Sequence, residues 1–166
     1  MIELSIHIVE EPPQVIVTER MPYPLEKVWL VHTDELYLKA WWAPDGYTNT
    51  WAETNPQPGG NWRMLQRDPE GNEFSMYGRY DEVERHRRIV QTRTSEIFPD
   101  APTTLTLEFS AIPGGTQVVT TEDFLTPFNL RGFQALGGID RLRGASARLD
   151  ALLAQMTPPA GEDWSS

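Results

Sequence analysis

Few side chains in this sequence have the chemistry to act on a small molecule or hold one. His32 closes an apolar helix face with Leu25, Val28 and Trp29, at the i, i+3, i+4, i+7 spacing of one helical stripe. An unperturbed imidazole titrates near neutrality, so a histidine there is either a hydrogen-bonded core group or a contact to a ligand. Glu122 ends a period-2 row with Val118 and Thr120. It is a solvated rim residue or, if apolar walls enclose it, a candidate acid or base. Gln66 shares a row with Trp62 and Met64 and would orient a ligand by hydrogen bonds, or sit in water at a strand end.

Around these stand rings and thioethers. Phe74, Met76 and Tyr80 share one face of the next extended segment, and Leu105, Leu107 and Phe109 form a further row. Met and aromatic side chains suit adaptable small-molecule walls as well as they fill a core. Residues 41 to 49 read WWAPDGYTN. Adjacent residues on a helix point about 100° apart, so Trp41 and Trp42 cannot share one environment. One is expected in the core and the other at a cavity mouth.

Several chemistries are set aside. His7, His32 and His86 are scattered without HExxH or paired spacing, and no cysteine is present, so neither a metal site nor a thiol nucleophile is expected. No glycine-rich nucleotide fingerprint occurs, and Ser146 of "GAS" lies inside a helical pattern, unlike a nucleophile elbow. No cofactor is expected. Lys and Arg number 14 against 24 Asp and Glu, for a net charge of −10. That balance disfavours nucleic acid and anionic membranes as partners, and "RHRR" (85–88) beside Glu82 and Glu84 reads as a solvated turn. The N-terminal stretch shows no basic leader and no continuous apolar run, so a cytoplasmic location is expected.

The elements that must position these residues follow from the change of apolar period. Residues 2–8 alternate as a half-buried strand, and "QVIVTERM" (14–21) is a second extended run beyond Pro12-Pro13. Pro24 opens a helix, and Asp34 caps a short second one carrying Leu36, Tyr37 and Trp41. Six strands are predicted at 48–54, 61–67, 73–83, 87–94, 103–111 and 116–124, separated by "NPQPGG", "DPEGN", "EIFPDAP" and "IPGG" turns, which makes an antiparallel meander. Ile139, Leu142, Ser146, Leu149, Leu153 and Met156 mark one long helix over 139–156. Its small residues Gly144, Ala145 and Ser146 are expected to leave an apolar space opposite Met64, Met76 and Phe109.

With "VWLVHTDELYLKAWWAP", "PGGNWRM", "PEGNEF", Gly78 and Tyr80, "GGTQVVTTEDF" and "GGIDRLRGASARLDALL" in this order and spacing, the chain resembles the heat-shock ATPase-activator-homologue-like domains of the START-like, birch-pollen-allergen-like (SRPBCC) helix-grip superfamily. The resemblance covers roughly 15–156. It implies an α+β helix-grip fold, a curved antiparallel sheet wrapped around the long C-terminal helix with an apolar cavity between them and two short helices after the first core strand. Residues 1–14 would add an extra strand and linker, an edge through which two copies could pair, and 157–166 a tail. Two departures stand out: Ile139 where relatives commonly carry tryptophan, and His32 where leucine is usual. The expected function is binding of an apolar or aromatic small molecule, with His32, Trp41, Trp42, Trp62, Met64, Phe74, Met76, Tyr80, Phe109 and Glu122 as ligand-binding candidates and no catalytic residue assigned. The alternatives are a cyclase- or dehydratase-like enzyme using His32 and Glu122 as acid and base, or a chaperone-associated interaction domain.

Overall fold

Period-2 alternation and short turns make most of this chain extended. The computed structural model describes residues 1–156; the tail expected over 157–166 lies outside the described residues. In chain order the elements are β1 (Glu3–Val9), β2 (Gln14–Met21), α1 (Leu25–Thr33), α2 (Glu35–Trp41), β3 (Thr48–Thr54), β4 (Asn61–Arg67), β5 (Glu73–Glu84), β6 (Arg88–Ser95), β7 (Phe98–Ile112), β8 (Gly115–Phe124), α3 (Pro127–Ala135) and α4 (Gly138–Gln155). The strands form one eight-stranded antiparallel sheet in the order β1-β2-β8-β7-β6-β5-β4-β3. The fold is the predicted α+β helix grip, with α4 displaced by one residue from the expected 139–156.

Two expectations need correction. The sequence reading passed from the last strand directly to the long helix, whereas α3 intervenes. Thr126 caps it by accepting the Asn129 N–H at 3.1 Å, and Pro127 occupies its first turn. Only Leu130 of α3 is buried, so its apolar period is too weak to read. "EIFPDAP" is not a loop throughout: Ser95 pairs with Phe98, and β7 begins there. Pro99 and Pro102 fit because β8 joins β7 only from Thr103↔Phe124 onward, leaving that stretch without a β8 neighbour to receive an N–H.

Register fixes which side chains share the inner face. Val15, Glu122 and Leu105 align across β2, β8 and β7, as do Val17, Thr120 and Leu107, and then Glu19, Val118 and Phe109. On the other half, Gln66 faces Phe74, Met64 faces Met76, and Trp62 faces Gly78. Gly78 is required here: a Cβ would lie 2.6 Å from the Trp62 indole nitrogen, which instead donates to the Thr92 carbonyl at 3.1 Å. Leu149 and Leu153 of α4 bury completely against this face, in one cluster with Val28, Trp41, Trp62, Met64, Tyr80 and Phe109. The sequence-predicted N-terminal strand is real and lies at the sheet edge. Its Leu4, Ile6 and Ile8 pack with Val15, Val17, Leu130, Ile139 and Leu142 in a second cluster.

Candidate functional site

At one end of the inner face the apolar rows give way to charge. Glu122 is only 3% exposed, and besides the apolar Val15 and Leu105 on either side it has polar partners. Arg93, the inward residue of β6 opposite Thr103, places a guanidinium nitrogen in a short hydrogen bond to Oε2 of Glu122, and Thr103 Oγ1 donates to the same oxygen at 2.7 Å. The Arg93 guanidinium also lies 5.9 Å from the ring centre of Trp42, which meets Trp62 edge to face at 5.2 Å. Gln66 is neither in water nor free: its Nε2 donates to Asn49 Oδ1 at 3.1 Å and to the Trp42 carbonyl at 3.3 Å. Asn49 in turn donates to the Lys39 and Trp42 carbonyls, so the pair ties the end of α2 to the sheet.

The two tryptophans occupy different environments. Trp41 is core, its indole N–H donating to the Val31 carbonyl at 2.8 Å, and Trp42 is the half-buried one beside Arg93. The loop that follows is held from above by α4. One Arg148 nitrogen donates to the carbonyls of Ala43, Pro44 and Tyr47 at 3.0, 3.0 and 2.9 Å. Gly144 lets that loop approach, since a Cβ there would stand 3.2 Å from the Asp45 backbone nitrogen. Tyr47 then reaches Phe74, ring centres 6.4 Å apart. Of the other wall candidates, Trp62, Met64, Tyr80 and Phe109 are close-packed core, while Phe74 and Met76 are half-buried.

His32 lies elsewhere. Its Nδ1 is 2.7 Å from the Val28 carbonyl; a carbonyl only accepts, so Nδ1 carries the proton. The ring is wedged edge to face against Trp41 at 5.1 Å and Phe109 at 5.2 Å. Burial lowers its pKa to about 4, against a smaller opposing effect of the Val28 hydrogen bond. Glu122 sits opposite Leu105, four residues along β7 from Phe109, or about 13 Å at strand rise. The acid–base pair expected from sequence is thus divided between two ends of the face.

Sequence reasoning missed Glu19, Arg93, Arg141 and Arg148. Glu19 was legible by parity, since Val15, Val17 and Met21 are its buried row-mates. Ser146 meets it rather than an apolar space: the serine hydroxyl donates to Glu19 Oε2 at 2.7 Å. Burial raises the Glu19 pKa, with the Ser146 hydrogen bond acting the other way. An acid whose pKa is raised in the fold costs no stability while both states are protonated, below about pH 4.5, and costs progressively more as pH rises above that. Glu19→Gln keeps an acceptor for Ser146 without the charge. It should stabilise the protein by about 1–2 kcal/mol at neutral pH, with the gain shrinking to nothing in acid. Denaturant midpoints of both proteins across pH check this, and a destabilised variant at pH 7 would show that the carboxylate is required.

Two surface hollows are lined by other residues, one of about 280 Å³ between the Glu10–Glu11 turn and α3, the other of about 350 Å³ over Glu3, Ser5, Thr18 and Arg20. Among the described residues no cluster of three His, Cys, Asp or Glu is placed to hold a metal ion, and no helix is long and apolar enough to cross a membrane.

Residues 22–154 match the family described as "Activator of Hsp90 ATPase homolog 1-like protein". No curated protein matches the chain. Solved structures give the same fold. A protein from Rhodobacter sphaeroides is 23% identical, with a TM-score of 0.82 over 93% of this chain and all of its own. One from Arthrobacter aurescens is 19% identical, with a TM-score of 0.84 over 94% of this chain and 92% of its own. The AHSA1-like protein from Aeromonas hydrophila is 20% identical, with a TM-score of 0.67 over 88% of this chain and 99% of its own.

Proposed function

The chain belongs to the activator-of-Hsp90-ATPase-homologue-1-like family, and on that premise we propose that it is a cytoplasmic small-molecule-binding protein whose apolar or aromatic ligand enters the grip at the Trp42 end. The observation that carries this reading is the half-buried Trp42. It is edge-on to Trp62, faced by Arg93, and set at the head of a loop that Arg148 and Gly144 fasten to α4. A core needs no such mounted ring at its margin. Phe74 and Met76 continue the wall, and Glu122 with Arg93 supplies the few convergent polar groups that fix a ligand's orientation. Trp62, Met64, Tyr80 and Phe109 back this wall from the core, while Trp41 and His32 support the helix pair behind it.

Titration with the neutral fluorophore phenylnaphthylamine tests the reading. The parent should bind it, and Trp42→Ala should weaken binding about tenfold, the loss of one aromatic face contact. A parent that does not bind, or a variant that binds equally well, overturns it. Native mass spectrometry of the purified protein would report a retained ligand directly. An enzymatic reading is favoured by one feature, the buried Glu19 with its raised pKa, so a cyclase- or dehydratase-like reaction would depend on Glu19 rather than on His32 with Glu122. A chaperone-associated role rests on the family's description alone.

A further inference from the structure

The charged end of the inner face holds a second arginine, on α4. Phe124 follows Glu122 on the same face of β8, and its ring lies 5.2 Å from that of Phe133 on α3. The Arg141 guanidinium covers Phe133 at 5.8 Å, which brings it over the same end of the sheet. There it lies in the electrostatic field of Tyr47, Arg93 and Glu122. The two guanidinium groups differ in their partners. Arg93 takes it in a direct ion pair, and Arg141 has no carboxylate within ion-pair distance among the described residues, its Nη1 donating instead to the Leu136 carbonyl.

Holding a half-buried cation without a direct ion-pair partner is unfavourable, and this chain carries a surplus of acids, at a net charge of −10, from which a partner could have been drawn. An arginine remains charged at any ordinary pH, and its fork fits a planar anion. Aromatic faces flank both cations, Trp42 beside Arg93 and Phe133 beneath Arg141, and Tyr47 pairs with Phe74.

We infer that the ligand is an anion, an aromatic or apolar body bearing one carboxylate or similar group, with the body against Trp42 and the anionic group on Arg141. This deepens, and rests on, the reading that the Trp42 end holds a small molecule.

Two probes of one ring system separate the two readings: neutral phenylnaphthylamine and its anionic relative anilinonaphthalene sulfonate. The parent should favour the anionic probe by about tenfold, the worth of one charge-assisted contact, and the preference should weaken with added salt. Arg141→Gln should bring the ratio of the two affinities to about one, and Arg141→Lys should restore part of it. Glu122→Gln frees Arg93 and should raise the ratio several-fold, an increase that a merely structural ion pair would not produce, and it stands as an independent test should Arg141→Gln fold poorly. Equal binding of both probes by the parent, or a ratio unmoved by Arg141→Gln and Glu122→Gln, overturns the anion inference while the binding reading survives. Failure of both probes to bind overturns the two together.

Discussion

Leu149→Asp is expected to cost more than about 4 kcal/mol and to leave little folded protein at room temperature. Leu149 is fully buried at the centre of the helix stripe, among the residues that join α4 to the concave face. Aspartate there would remove a close-packed leucine, itself worth about 2–5 kcal/mol, and place a carboxylate inside an apolar cluster. Typical domains hold only about 5–15 kcal/mol in reserve, so the loss is a large part of the whole. Substitution of the exposed Arg143 on the opposite side of the same helix should stay within about 0.5 kcal/mol. Chemical denaturation followed by circular dichroism reads both. A Leu149→Asp protein that unfolds like the parent would mean that α4 is not seated in the sheet.

The same helix shows what sequence can and cannot disclose. Its apolar stripe, its position after the meander and its small residues were all legible, because burial of one face imposes a period and the period survives in the residue types. Most strand limits were legible for the same reason, with turn residues punctuating them; the start of β7 inside "EIFPDAP" was not. What the small residues do was not. Gly144 and Ser146 read as open space, but one receives a loop from residues near position 45 and the other a carboxyl from β2. The partners come from about a hundred residues earlier in the chain or more, and no local pattern records them.

Charged residues inside the grip were hidden by a related effect. Charges usually point outward, so Arg93 reads as a surface residue, and Glu19 is easily passed over even though its row-mates Val15, Val17 and Met21 place it on the inner face. Only strand pairing reveals that Arg93 lies beside Glu122, 29 positions away. Glu122 reads as a solvated end of its row, but it is buried, Phe124 follows it on the same face, and no local pattern discloses the cation that makes its burial tolerable. Trp41 and Trp42 were separable from helical geometry alone, but which one turned inward depended on the Val31 carbonyl waiting for the Trp41 N–H.

Between pH 6.5 and about 4 the protein is expected to lose about 3 kcal/mol of stability through His32 alone. In the unfolded chain the imidazole takes up a proton near pH 6.5, whereas in the fold burial between Trp41 and Phe109 delays this to about 4. A base with a depressed pKa contributes stability above its unfolded value, and that contribution is lost as pH falls through the interval. At about 1.4 kcal/mol per pH unit the interval yields the figure given. Glu19 works in the opposite direction, since acid relieves the cost of its buried charge, so the parent's own pH profile should be shallower than either residue would produce. Comparison with His32→Leu isolates the imidazole. At neutral pH the variant should match the parent within about 1 kcal/mol, exchanging one hydrogen bond for apolar burial. Toward pH 4 it should become the more stable protein by the missing 3 kcal/mol. A difference that stays constant with pH would show that the ring protonates freely in the fold and is not enclosed. Phenylnaphthylamine affinity should be the same in both proteins, because His32 is spent on Val28 and its ring faces inward from the site; a weaker variant would return it to the ligand wall.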